Sequence, residues 1–384
     1  MKAVIAIDSF KGSLSSLESG RAVKAALERV YPGCECAICP LADGGEGTVS
    51  AIISSVGGKI VKVCVTGPLG EPTEAEYGVL PDGRAVIEIA SAAGLTKLPA
   101  EERNPLHTTT YGVGELIASA INNGCRSFII GLGGSATNDG GVGMLSALGF
   151  GFLNGRDEPV SHGALGLSEL HRITTEGAIP ELSECEFRIA SDVSAPLCGE
   201  NGASFVFAPQ KGASPESVAD MDGWLSDYSR LTARTVGTDF SYYPGAGAAG
   251  GLGFAFLSYL GAHLESGIGI VMDVCGIPEL IKKSDLVITG EGRLDGQSCM
   301  GKAPVGIAAI AKKYSKPTVA FSGCVSEGAE KCNDLGIDAF FPIVRSPITL
   351  DEAMEPAVAY SNLEATAEQV FRLMKASGFL TDII

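Results

Sequence analysis

MKAVIAIDSFKGSLSSLESGRAVKAALERVY, residues 1–31, opens the chain and sets its architecture. The apolar run Ala3 to Ile7 reads as a buried strand, and Asp8 to Ser16 is a polar, glycine-containing loop. From about Leu17 to Tyr31, Val23, Ala26, Leu27 and Val30 recur at helical spacing on one face. A strand, a loop and an amphipathic helix in that order begin a β-α-β unit. A strand at Cys36 to Cys39, the loop Pro40 to Gly45, a helix near Glu46 to Ser55 and a strand at Lys59 to Thr66 continue it. Such alternation predicts a mostly parallel sheet.

Past Gly67, Pro68 and Gly70 the texture changes. Glu74 to Leu80 and Arg84 to Ala90 read as short strands joined by a Pro81-Asp82-Gly83 turn, a hairpin pattern. A helix near Gly112 to Asn122, strands at Arg126 to Gly131 and Phe187 to Ala190, and a helix near Gly251 to Leu264 follow. From Asp285 the β-α alternation returns, with strands at 285–289, 318–322 and 340–342 and helices after Pro304, near 327–335 and near 361–376. The expectation is therefore an α/β chain of two domains. Residues 1–67 and 285–384 form a discontinuous Rossmann-like parallel-sheet domain, 68–284 an inserted mixed α/β domain, and the ligand site falls in the cleft between them.

Composition narrows the function. The chain has 384 residues, 45% hydrophobic and 19% charged, and no apolar run nears the roughly 20 residues of a membrane-spanning helix. No secretion signal is read at the N-terminus. Eleven scattered cysteines, an odd number, read as reduced thiols, and Cys34, Cys36 and Cys39 lack the partner ligands of a zinc site. A cytoplasmic protein is expected. The net charge of −17 excludes an extended nucleic-acid surface, and an anionic substrate must find a local positive group. Glycine stands out, with 51 residues in compact clusters beside Asp, Glu, Ser or Lys, a pattern of backbone shaped for close approach to a ligand.

Those clusters supply the candidate residues. In Asp8-Ser9-Phe10-Lys11-Gly12-Ser13, just past the first strand, Lys11 and Ser9 are placed to meet an anion, unless the loop is an ordinary solvated turn. In Asp43-Gly44-Gly45-Glu46-Gly47-Thr48, Asp43 is a candidate Mg²⁺ ligand and Gly44 and Gly45 offer backbone N–H groups to oxyanions; helix capping is the alternative for Asp43. The most informative stretch is Gly131-Leu132-Gly133-Gly134-Ser135-Ala136-Thr137-Asn138-Asp139-Gly140-Gly141. A strand runs there into glycines, hydroxyls, an amide and a carboxylate, an anion cradle in which Gly133, Gly134, Ser135, Thr137 and Asn138 are binding candidates and Asp139 a metal candidate. Asp192, after a strand, is a candidate base and Lys211 a candidate neutraliser of phosphoryl charge. In Thr289-Gly290-Glu291-Gly292-Arg293-Leu294-Asp295-Gly296, Glu291 and Asp295 are metal or base candidates and Arg293 a phosphate ligand.

Two look-alikes fail. Gly245 to Gly250 matches G-x-G-x-x-G but follows no adequate strand. Gly296 to Lys302 matches G-x-x-x-x-G-K, yet Ala303 stands where a Ser or Thr should hold Mg²⁺.

Taken together, DSFKGSLSS (8–16), PLADGGEGT (40–48), GLGGSATNDGG (131–141), SDVSAPLCG (191–199), APQKG (208–212), PGAGAAGGLG (244–253), TGEGRLDGQS (289–298) and GKAPVG (301–306) closely resemble the glycerate kinase type I family, in order and over nearly the whole chain. The resemblance implies a two-domain fold unrelated to P-loop kinases, dependence on ATP and Mg²⁺, D-glycerate as acceptor and 2-phosphoglycerate as product. Direct in-line transfer is expected, with Lys11 and Lys211 on phosphate or carboxylate, Asp192 or Asp295 accepting the hydroxyl proton, and Asp43, Asp139 and Glu291 as metal candidates. The alternatives are a kinase of another small hydroxy or sugar acid, a kinase of the class with a G-L-x-S-S-A phosphate loop, and a non-catalytic glycerate-sensing regulator. Oligomeric state is left open.

Overall fold

The structure is a computed structural model that describes residues 1–296, 298–300 and 302–378; Gln297 and Gly301, which belong to the motifs read above, lie outside the described residues. Along the chain run strands β1 (Lys2–Ile7), β2 (Glu35–Ile38), β3 (Lys59–Thr66), β4 (Pro72–Val79), β5 (Ala85–Glu88), β6 (Ser127–Gly131), β7 (Gly151–Leu153), β8 (Arg172–Thr174), β9 (Glu186–Ala190), β10 (His263–Glu265), β11 (Leu286–Leu294), β12 (Thr318–Val325) and β13 (Ala339–Pro342). The chain divides into two compact units. One holds residues 1–42, 50–56 and the chain from Ile268 onward, and the other 43–49 and 57–267.

In the first unit five parallel strands lie in the order β13-β12-β11-β1-β2. Alternate side chains of β1 serve opposite layers, as strand geometry requires. Ala3, Ile5 and Ile7 pack with the helices Ser16–Val30 and Pro356–Ala376, while Val4 and Ala6 pack with the helices Ile277–Lys283 and Ala303–Lys313. The first helix starts where Ser15 and Glu18 form a capping box, the Glu18 amide donating to Ser15 Oγ (3.2 Å) and the Ser15 amide to Glu18 Oε2 (2.9 Å). Helices cover both faces of a buried parallel sheet, the doubly wound arrangement. From β1 the sheet grows toward β2 on one side and through β11 to β13 on the other. The strand order therefore reverses between β1 and β11, and ligands of such sheets bind outside the carboxyl ends of the strands at that point.

In the second unit six strands lie in the order β10-β9-β6-β5-β4-β3. β10, β9, β6 and β5 are parallel, whereas β4 and β3 run antiparallel to their neighbours. Tyr77, Phe128, Phe187, Phe254 and Phe256 fill the core, and the Phe128 and Phe187 rings stack at 4.8 Å. The carboxyl ends of four parallel strands thus point the same way and deliver Glu88, Gly131, Ala190 and Glu265 to one rim. A two-stranded pair, β7 with β8, stands apart from this sheet.

The division differs from the boundaries expected at 67 and 284. β3 pairs with β4 over eight residues, from Lys59 opposite Val79 to Thr66 opposite Pro72, so it belongs to the mixed sheet and not to the parallel one. Ile268, Ile277 and Ile281 instead join the core beneath β1 and β11, which places 268–284 in the first unit.

Candidate active site

In the first unit the motif residues gather at the switch point between β1 and β11. The Asp8 amide donates to Gly290 O (2.9 Å), continuing the β1–β11 ladder, and the chain then folds into a tight loop in which Phe10 pairs with Leu14. Ser9 donates its amide to Asp8 Oδ1 (2.7 Å). Lys11 is exposed on this loop, and its backbone lies beside Gly292. β11 carries Thr289, Glu291 and Arg293 in alternation, the first two buried and Arg293 exposed. Glu291 is 7% exposed, and Oε1, like Thr289 Oγ1, is buried without a hydrogen-bond partner. Burial pushes its carboxyl above the usual range; Ser298 and Lys302 oppose that shift, and Asp8 and Asp295 add to it. Asp295 closes a turn with Ser298, accepting the Ser298 amide at Oδ1 (3.1 Å), while the Asp295 amide donates to Ser298 Oγ (3.1 Å). Lys11, Ser9, Glu291, Arg293 and Asp295 therefore share one end of one sheet.

In the second unit two of the glycine stretches meet. A Cβ on Gly131 would overlap the Gly44 carbonyl, one on Gly133 would overlap Gly45 Cα, and one on Gly44 would lie 2.8 Å from Ala190 O. The Gly133 amide donates to Gly44 O (3.1 Å). Asp43 and Asp192 share this rim: the Asp192 carboxylate accepts the Gly267 amide at Oδ1 (3.1 Å). Partial withdrawal from water pushes the Asp192 carboxyl above its ordinary value, bonds from Ser266 and Gly267 oppose the shift, and the nearby Asp43 carboxylate adds to it.

Deeper in the same unit the 135–139 segment is built on buried charge. Lys211 is 2% exposed, with Nζ donating to Ser135 Oγ (2.8 Å) and Thr137 O (2.7 Å). Burial lowers its pKa to about 7, against an opposing pull from Asp139. Asp139 is also enclosed. Its Oδ2 accepts the Thr110 amide and hydroxyl (both 2.8 Å) and the Gly143 amide (3.3 Å), and Oδ1 accepts the Gly141 amide (3.1 Å). Burial raises this carboxyl despite those donors. Asn138 Nδ2 donates to Ser204 Oγ (3.0 Å). Gly134, by contrast, is exposed.

Several glycines expected to face ligand therefore face backbone. Gly250 and Gly251, at φ +70° and +96°, press on Thr137, Asn138 and Gly140 so closely that a Cβ would overlap them. The dinucleotide look-alike is thus a brace for the 137–140 segment. Ligand approach and backbone approach both require a missing Cβ, so spacing alone does not separate them.

Sequence reasoning overlooked Glu88. At the end of β5 its Oε1 accepts the Val49 amide (2.7 Å), and Gly47 also donates to it, so a carboxylate of the chain occupies amides at the start of the helix Thr48–Val56. Its one sequence signal is a carboxylate ending an apolar strand. Among the described residues no three His, Cys, Asp or Glu side chains converge as a metal-ion cluster, and no helix is long and apolar enough to cross a membrane.

The glycerate kinase family profile matches residues 3–375. The chain is 45% identical over 375 residues to a glycerate kinase of Haemophilus influenzae, covering 97% of this chain and 99% of that one. It is 45% identical over 364 residues to the glycerate 2-kinase of Escherichia coli, covering 94% and 95%. A crystal structure described as a glycerate kinase 2 from Salmonella typhimurium LT2 superposes with a TM-score of 0.89 at 43% identity, over 99% of this chain and 100% of that one.

Proposed function

The chain belongs to the glycerate kinase family, and on that premise we propose that it transfers the γ-phosphoryl group of ATP to the 2-hydroxyl of D-glycerate, giving 2-phosphoglycerate and ADP. The likeness over 94% of the chain to a protein named glycerate 2-kinase carries the choice of hydroxyl. The hydroxyl oxygen forms the new P–O bond as the bond to the ADP oxygen breaks, and the hydroxyl proton passes to a carboxylate. Such transfer asks the protein for positioning and charge neutralisation above all.

In the first unit, Lys11 and Arg293 are exposed cations beside the switch point and are assigned to phosphate oxygens. Mg²⁺ commonly takes one or two carboxylates plus substrate phosphates. Glu291, with Oε1 buried and unpartnered and Asp295 near it, fits that demand. Bound there, the ion would neutralise phosphate charge.

In the second unit, Asp192 is assigned as the base, because its raised pKa brings a carboxylate closer to working pH. Asp43 is its electrostatic neighbour. Gly44 and Gly134 are assigned to substrate oxyanions on a rim whose shape depends on Gly44, Gly131 and Gly133 lacking Cβ atoms, whereas the Gly133 and Gly45 amides are already donated to Gly44 O (3.1 Å) and Asp43 Oδ1 (3.1 Å) and hold the rim together. Lys211 and Asp139, both enclosed, are assigned to positioning, Lys211 holding Ser135 and Thr137 and Asp139 holding Thr110, Gly141 and Gly143. The cytoplasmic assignment rests on the odd, scattered cysteines.

A coupled ADP-release assay with D-glycerate, glycolate, tartronate and glyceraldehyde, with the product identified by NMR, tests the reading. Release of ADP with D-glycerate and a 2-phosphate product is expected. Absence of ADP release with D-glycerate would remove the proposal, and a 3-phosphate product would remove its regiochemistry.

A further inference from the structure

We infer that Arg103 supplies the counter-charge for the carboxylate of glycerate, an inference that rests on the assignment of Gly134 to substrate. Arg103 follows the short 3-10 turn Ala100–Glu102 and is partly buried. Its Nε is buried with no hydrogen-bond partner, and Nη2 makes a long bond to Leu95 O (3.4 Å). Three other arginines of the same unit are paired with carboxylates. Arg84 pairs with Asp82, Arg126 with Glu184 and Arg188 with Glu265. Among the described residues Arg103 has no carboxylate partner, although the chain carries a net charge of −17.

Three links tie Arg103 to the glycine loop. Leu95, whose carbonyl accepts from Arg103, donates its own amide to Gly134 O (2.9 Å). The preceding residue, Gly94, forms a bridge with Ser135. Gly212 sits so close to the Arg103 carbonyl that a Cβ there would overlap it, and the adjacent Lys211 reaches Ser135 (2.8 Å). Lys211 itself is enclosed, its amine already bonded to Ser135 and Thr137, and Lys97 donates to Glu74 O (2.8 Å), so of these three described cations the guanidinium is the one left for a ligand.

A guanidinium presents parallel donors that match the two oxygens of a carboxylate, and a phosphate offers similar oxygens. Glycerate differs from neutral polyols by its carboxylate, and a site built to pair a substrate group strongly rejects analogues that lack it. Arg103 thereby becomes the residue that selects an acid.

The test uses the full chain with Arg103→Met and Arg103→Lys. For Arg103→Met, KM for D-glycerate rises roughly 10- to 100-fold, the range of a charge-assisted hydrogen bond, while KM for ATP stays within about twofold. Arg103→Lys keeps stem and charge without the fork and gives an intermediate KM, which keeps the inference testable where the Met variant folds poorly. An unchanged glycerate KM in either variant overturns the inference. A rise in KM for ATP alone also overturns it, because the guanidinium would then serve a phosphate. Failure of the unmodified chain to turn over glycerate counts against the proposed function and leaves these outcomes separate.

Discussion

Lys211 offers the sharpest quantitative test. A lysine whose pKa falls from 10.5 to about 7 on folding binds its proton less tightly in the folded chain than in the unfolded one. Below about pH 7 both states are protonated and the cost of burying the charge is present in full. Between about pH 7 and 10.5 the unfolded state holds more protons, so stability rises with pH, and above that window the cost is gone. The residue is 2% exposed, so little solvent screening intervenes. At about 1.36 kcal/mol per pKa unit, the cost is about 5 kcal/mol at low pH, of which about 2 kcal/mol is relieved by pH 8.5. Lys211→Met removes this titration. It also strands Ser135 Oγ and Thr137 O, at about 1–3 kcal/mol for each buried group left unpaired. Urea unfolding of both proteins at pH 6.5, 7.5, 8.5 and 9.5 is the assay. The wild-type stability should gain on the variant by up to about 1.4 kcal/mol per pH unit above pH 7. Parallel pH profiles would refute the claim that burial lowers the Lys211 pKa.

Two further outcomes follow from the second unit. Gly133→Ala places a Cβ over Gly45 Cα; the cost should be about 1–3 kcal/mol by thermal unfolding, with kcat/KM falling because the 43–45 loop must move, and an unchanged kcat/KM counts against the rim as substrate site. For Asp192→Asn, kcat should drop roughly 10²- to 10⁴-fold. Wild-type activity should fall at low pH as the Asp192 carboxylate protonates, with a midpoint above the ordinary aspartate value because the group is partly withdrawn from water and lies near Asp43. Full activity in the Asn variant would remove Asp192 as base and shift attention to Asp295.

Much of the first unit was legible because its signals are local. The apolar run at 3–7 and the helical spacing of Val23, Ala26, Leu27 and Val30 require one buried face each, whatever packs against it, and β1 and the helix Ser16–Val30 follow. Other strands were found but misallocated. β3 has a plain strand sequence, yet its membership of the mixed sheet depends on eight cross-strand pairs with β4 that periodicity does not encode.

The candidate residues divide along the same line. Sequence by itself determined which residue types cluster after strands, and with them the family, because eight motifs in fixed order carry information independent of any contact. Only the tertiary structure decided which of those residues face outward. Lys11 and Lys211 read alike as lysines beside glycine, but one is exposed on a loop and the other is sealed beneath Ser135 and Thr137. Gly133 and Gly44 read alike as ligand glycines, and both prove to be pressed on backbone. The physical reason is common to all four: burial and close approach are properties of pairs of segments distant in sequence, and a residue's own neighbours along the chain do not specify them.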